Sequence, residues 1–111
     1  MIAYHTINEK EQTMYMAIRR LKVQPGAFDE AARLVENEMM PIVSSMPGFV
    51  EYEVLQASED VGYTISIFET QEQAEESNKR AAEWVKPYLA PLAAGPHEIV
   101  AVGEVRYRKV K

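Results

Sequence analysis

An α+β fold, with one antiparallel sheet covered by two helices, is predicted by three observations on this 111-residue chain. Apolar residues recur at helical spacing in two stretches, 28–43 and 74–92. Four other stretches are rich in β-branched and aromatic residues and are bounded by Pro, Gly or Asp. The resulting order is β-α-β-β-α-β, two strand–helix–strand halves in succession.

Each element has its own local justification. Residues 1–13 are polar and patternless and read as a flexible arm, leaving 14–111 as a single domain. "MYMAIRRLKV", 14–23, is the first strand, stopped by Pro25-Gly26. Phe28, Ala31, Ala32, Val35, Met39, Ile42 and Val43 then mark one face of a helix, with Asp29 and Glu30 at its positive end. Pro41 removes the donor due to the Asn37 carbonyl, which predicts a kink or change of register there. Pro47-Gly48 ends the helix.

"FVEYEVLQ", 49–56, alternates Val50, Tyr52 and Val54 against Phe49, Glu51, Glu53 and Leu55. "ASEDVG" supplies a turn and "YTISIFE", 63–69, the return strand of a hairpin. Thr70 and Gln73 match a capping box for the second helix. At about 100° per residue, Ala74, Ala81, Val85, Tyr88 and Leu92 form its sheet-facing stripe. Pro87 and Pro91 predict that it bends or breaks just past Trp84. "PHEIVAVGEVRYRKV", 96–110, is the last strand. The arrangement is ferredoxin-like.

In such an arrangement both helices cover one face of the sheet. The strands are nevertheless apolar on both sides: Ile99, Ala101, Val105 and Tyr107 alternate with Val100 and Val102, and Met14, Met16 and Ile18 with Tyr15, Ala17 and Leu21. Two-sided apolarity calls for two-sided burial, so a homodimer packed through the open sheet face is expected. The net charge of −5 and pI near 5.1 argue against nucleic acid or an anionic membrane as a partner. The chain contains no cysteine, and "MIAYHTINEKEQ" has no apolar run of signal-peptide or membrane-span length. A soluble, cytoplasmic protein is the default expectation.

The stretches "MYMAIRRLKVQPGAFDEAARLV", "PIVSSMPGFVEYEV", "ISIFETQEQAEESNKRAAEWV" and "GEVRY" resemble the antibiotic biosynthesis monooxygenase family of the dimeric α/β-barrel superfamily. The resemblance covers about residues 14–107, and its most specific parts are "PGF" before the hairpin and "SIF" leading into the Glu-rich helix. It implies a homodimeric α/β barrel with a pocket in each subunit between helices and sheet. Family members include cofactor-independent monooxygenases of aromatic polyketides, quinol oxidases and haem-degrading enzymes. In the cofactor-independent scheme a phenol or hydroquinone loses a proton and its anion passes an electron to O₂, with neither flavin nor metal. A non-catalytic dimeric small-molecule-binding or stress-related protein of the same fold is the alternative.

The residues singled out as binding residues are Trp84, Asn78, Tyr88, Ser77 and Arg19; no catalytic residue is named. Trp84, the sole tryptophan, and Asn78 lie on opposite shoulders of the buried stripe, each about 60° from Ala81, with Ser77 on the Trp84 side. Arg19 and Arg20 point to opposite sheet faces, so one reaches the helix side; an ion pair with Glu51, Glu53 or Glu104 is the competing use. His97 is the base by type, though its loop-to-strand junction suggests surface placement. His5 and His97 are far apart and cannot suggest a metal site. The haem-degrading branch has an Asn on the first strand and a ligating His on the second helix, and both are missing here. The polyketide monooxygenases space Asn and Trp one helical turn apart, whereas Asn78 and Trp84 are six residues apart.

Overall fold

The computed structural model describes residues 13–111, so the N-terminal arm lies, but for Thr13, outside the described residues. Strand β1 (Tyr15–Lys22) leads to a first helical run made of α1 (Phe28–Leu34), a π turn (Val35–Met39) and α2 (Met40–Ser44). β2 (Phe49–Gln56) and β3 (Val61–Phe68) form the hairpin. A second run follows: α3 (Gln71–Trp84), a π turn (Val85–Leu89) and a 3₁₀ turn (Ala90–Leu92), before β4 (Glu98–Glu104). All pairings are antiparallel and the sheet order is β2-β3-β1-β4, the ferredoxin-like fold expected.

Pro41 and Pro91 act where the sequence places them. The Met40 N–H donates to the Val35 carbonyl, five residues back, and Pro41 follows. The second run does the same: Ala90 N–H to Val85 carbonyl, then Pro91. Widening one turn to a π turn reassigns carbonyls that a proline cannot serve. The extra residue also rotates what comes after it. Leu89, 2% exposed, takes the sheet-facing place expected of Tyr88, which is 53% exposed. That corrects the helical stripe read from a uniform 100° step.

The capping box forms as expected, with Gln73 N–H donating to Thr70 Oγ1 (3.2 Å) and Thr70 N–H to Gln73 Oε1 (3.1 Å). The "PGF" turn packs against it. Gly48 sits at φ +77°, and a Cβ there would collide with the Gln73 side chain. Only glycine tolerates both conditions.

On the helix-facing side, β1 presents Tyr15, Ala17, Arg19 and Leu21 opposite Phe68, Ser66, Thr64 and Gly62 of β3. A bulge between Phe49 and Glu51 turns Phe49 to the same side as Tyr52 and Val54, which corrects the strict alternation read for this strand. The core there joins Ala17, Val23, Ala31, Val35, Met39, Val43, Phe68 and Leu89. The opposite face carries Met16, Ile18, Ile65 and Ile67. Across it the C-terminal segment brings Arg108 to Glu51 at 2.6 Å and to Met14 Sδ at 3.9 Å.

Candidate functional site

Arg19 lies at the centre of the layer beneath the second helical run. Period-two alternation in β1 sends it under α3, where it is 1% exposed. Its Nε donates to Thr64 Oγ1 (2.9 Å), Nη2 to Ser66 Oγ (3.0 Å), and Nη1 to Asn78 Oδ1 (2.6 Å) and Ser77 Oγ (3.4 Å). Tyr52 from β2 completes the ring of neighbours, with the guanidinium carbon 5.9 Å from its ring centroid.

The chemistry of this shell is unusual for a buried cation. Among the described residues none of the ion pairs reaches Arg19: Arg20 pairs with Glu98 at 3.1 Å, Arg108 with Glu51 and Lys79 with Glu76. The expected competing pair between Arg19 and Glu51, Glu53 or Glu104 is therefore overturned, because the face on which Arg19 lies carries hydroxyls and an amide. Desolvating an unpaired ion costs on the order of several kcal/mol. Burial accordingly draws the Arg19 pKa down, partly offset by Tyr52. Neutral acceptors satisfy four of the five guanidinium N–H groups but supply no negative charge.

Two further polar atoms are buried with no hydrogen-bond partner among the described residues, Tyr52 Oη and Trp84 Nε1. Burial raises the Tyr52 pKa, and the charge of Arg19 and then the neighbouring Thr64 hydroxyl work against that rise. Tyr52 therefore keeps its proton at neutral pH and is a donor. Buried donors without acceptors are rare in proteins and ask for an explanation.

The five residues singled out from the sequence divide clearly. Ser77, Asn78 and Arg19 meet directly, and Trp84 is buried on the same helix about 9 Å further along its axis. Ala81, fully buried, lies between them and keeps that interval free of bulky side chains. Asn78, on the shoulder of the buried stripe, is 6% exposed. Tyr88 does not reach the cluster; it stacks on the outer face of Trp84, ring centroids 5.8 Å apart. His97 is half-buried and feels the charge of Arg19, which corrects its surface placement.

Tyr52, Thr64 and Ser66 were not found by sequence reasoning. A signal did exist for two of them. In "YTISIF" the hydroxyls at 64 and 66 alternate with isoleucines, so they share one face of a strand that is otherwise apolar. A cleft of about 590 Å³ opens in the first half, between Phe28, Ala32, Arg33, Met40, Val54 and their neighbours, and none of its lining belongs to the Arg19 cluster.

Similarity to known proteins bears on this geometry. The family model for antibiotic biosynthesis monooxygenase matches residues 14–82. A protein of unknown function from Nitrosomonas europaea is similar in structure (TM-score 0.74, 16% identity, 91% of this chain and 97% of that one). So is a Streptomyces coelicolor monooxygenase solved with nanaomycin D (0.66, 14%, 95% and 96%). A heme-degrading protein of Mycobacterium tuberculosis, with two hemes in its active site, also shares the fold (0.66, 20%, 86% and 99%). No curated protein matches the chain. On the family match over more than half its length, the chain belongs to the antibiotic biosynthesis monooxygenase family.

Proposed function

We propose that this chain binds a small phenolic or quinol-like aromatic compound against Arg19 and oxidises it with O₂, without a cofactor. The observation that carries the reading is the buried Arg19 cation with no carboxylate counterion, accompanied by two buried donors that lack acceptors, Tyr52 Oη and Trp84 Nε1. A bound phenolate supplies the missing negative charge. A preorganised cation in a water-poor site stabilises an oxyanion far better than water does. A structural neighbour is a Streptomyces coelicolor monooxygenase solved in complex with nanaomycin D.

The reaction balances without a prosthetic group. The phenolate gives one electron to O₂, forming a phenoxyl radical and superoxide. The two combine at a ring carbon to give a hydroperoxide, which loses water to leave the quinone. The net change is phenol plus O₂ to quinone plus water. Arg19 holds the oxygen on which charge resides, and Trp84 offers a flat apolar neighbour for the ring. The apolar outer sheet face of Met16, Ile18 and Ile65 supports a homodimer through that face, for the same reason that large exposed apolar patches are rare on monomers.

Oxygen uptake with a panel of hydroquinones and dihydroxynaphthalenes tests the reading, alongside quenching of Trp84 fluorescence, which reports binding from a single indole. The expected result is one O₂ consumed per quinone formed, and loss of both signals in Arg19→Met, a variant of similar length with no charge. Quenching without oxygen uptake favours the binding-protein reading, for which Asn78 Oδ1 committed to Arg19 at 2.6 Å is the supporting observation. Neither signal overturns both.

A further inference from the structure

We infer that His97 is the proton acceptor for the phenolic ligand, an inference that rests on the reading of Arg19 as the anion-holding group. Register puts it there. In β4, Ile99 is opposite Arg19 and Glu98 opposite Arg20, after a bulge at Val100. Glu98 therefore points to the outer face, where it pairs with Arg20 at 3.1 Å. His97 immediately precedes β4, and continuing the alternation from Glu98 turns it to the helix-facing side, where the charge of Arg19 acts on it. Its imidazole is half-buried, so it can face the site with one edge and water with the other.

The electrostatics fit a base. Burial lowers the His97 pKa and the Arg19 charge lowers it further, so the ring is neutral and able to accept a proton at pH 7. The charged and titratable groups around it are few. Arg19 faces it from β1, with Tyr52 from β2 beyond Arg19. α3 contributes the neutral Ser77 and Asn78 to the same cluster, and Glu98 is turned away. Among the described residues, no carboxylate in contact with Arg19 competes for the proton.

The step is a proton transfer alone. The phenol O–H bond breaks, its proton passes to an imidazole nitrogen, and the electron pair stays on oxygen beside Arg19. An imidazolium and a guanidinium then flank one phenolate, which offsets the repulsion that would otherwise oppose protonating His97. After oxidation the proton leaves with the water that is formed.

The experiment uses para-nitrophenol, whose phenolate absorbs visibly and which O₂ does not oxidise. Binding is read by Trp84 quenching, the ligand's ionisation by its absorbance, and the state of His97 by the proton resonances of the only two histidines. In the wild type at pH 6, the bound ligand is expected as phenolate while the His97 resonance moves to the imidazolium position. His97→Gln is expected to bind the neutral phenol with the phenolate band largely lost, at unchanged thermal stability at pH 7. Bound phenolate with an unmoved His97 resonance, or a phenolate band retained in His97→Gln, overturns the role of His97 and leaves the Arg19 reading intact. No quenching by any phenol in the wild type overturns both.

Discussion

The first helical run presses Ala31, Val35, Met39 and Val43 onto the sheet, whereas the second presses Ala74, Ser77, Asn78, Ala81 and Trp84 onto it. The two runs share a plan: each follows a strand, widens to a π turn that begins at a valine, and meets a proline six residues after that valine. They differ in what lies beneath them. The first packs over β2 through apolar side chains, beside the cleft; the second packs over β1, β3 and β4, around a buried guanidinium. One duplicated layout thus yields a stabilising half and a reactive half. Dispersion and burial have no direction, so the first half tolerates any close-packed set of apolar residues. A buried ion with directional bonds tolerates very few, which is why the site belongs to the second half.

The largest expected separation comes from the apolar half. Met39→Ala removes a side chain that is 3% exposed and should lower the unfolding free energy by about 2–5 kcal/mol. Chemical denaturation reads this, and phenol binding should be unaffected once the protein is folded. If binding falls in proportion, the two halves are not functionally separate.

Asn78→Ala sharpens the same contrast from the other side. It takes away the shortest acceptor of Arg19 and leaves a charged donor buried, at a cost of about 1.5–3 kcal/mol. Unlike Met39→Ala, it should also change ligand affinity, in either direction, because the freed N–H points at the site. An unchanged affinity would show that Asn78 serves packing alone.

The smallest effect is a dependence on pH. His97 has its folded-state pKa below the ordinary 6.5, so the unfolded chain binds the proton more readily. Its contribution is fully present above pH 6.5 and is lost as pH falls from there toward the lowered value. Melting temperatures of wild type and His97→Gln should therefore coincide at neutral pH and separate on acidification, the wild type falling faster, with the apolar half contributing nothing to the difference. Parallel curves would place His97 outside the influence of Arg19.

Much of this was legible in the sequence. Helical spacing, the Thr70–Gln73 cap, the "PGF" turn and the prolines each act within a few residues, and each is found in the structure. Ser77, Asn78, Trp84 and Arg19 were also identifiable as candidates, from residue type, position on a helix or strand, and family resemblance. Tyr88 was placed in the wrong part of the helix because a π turn adds a residue that periodicity assumes away. Tyr52 lies on the face that its alternation gave, with Val54, and was missed because only the pairing of three strands brings it beside Arg19.

The sequence by itself determined the order of elements and that one β1 arginine would face the helices, because those outcomes rest on backbone sterics and local hydrogen bonds; the last strand, expected over 96–110, spans only Glu98–Glu104. Only the tertiary structure decided that this residue is Arg19, that it meets hydroxyls and an amide instead of a carboxylate, and that Tyr52 and Trp84 keep buried donors without acceptors. Arg19 and Asn78 are 59 residues apart, and their partnership depends on strand register and helix rotation together. A shift of one residue in either would exchange the buried cation for its neighbour.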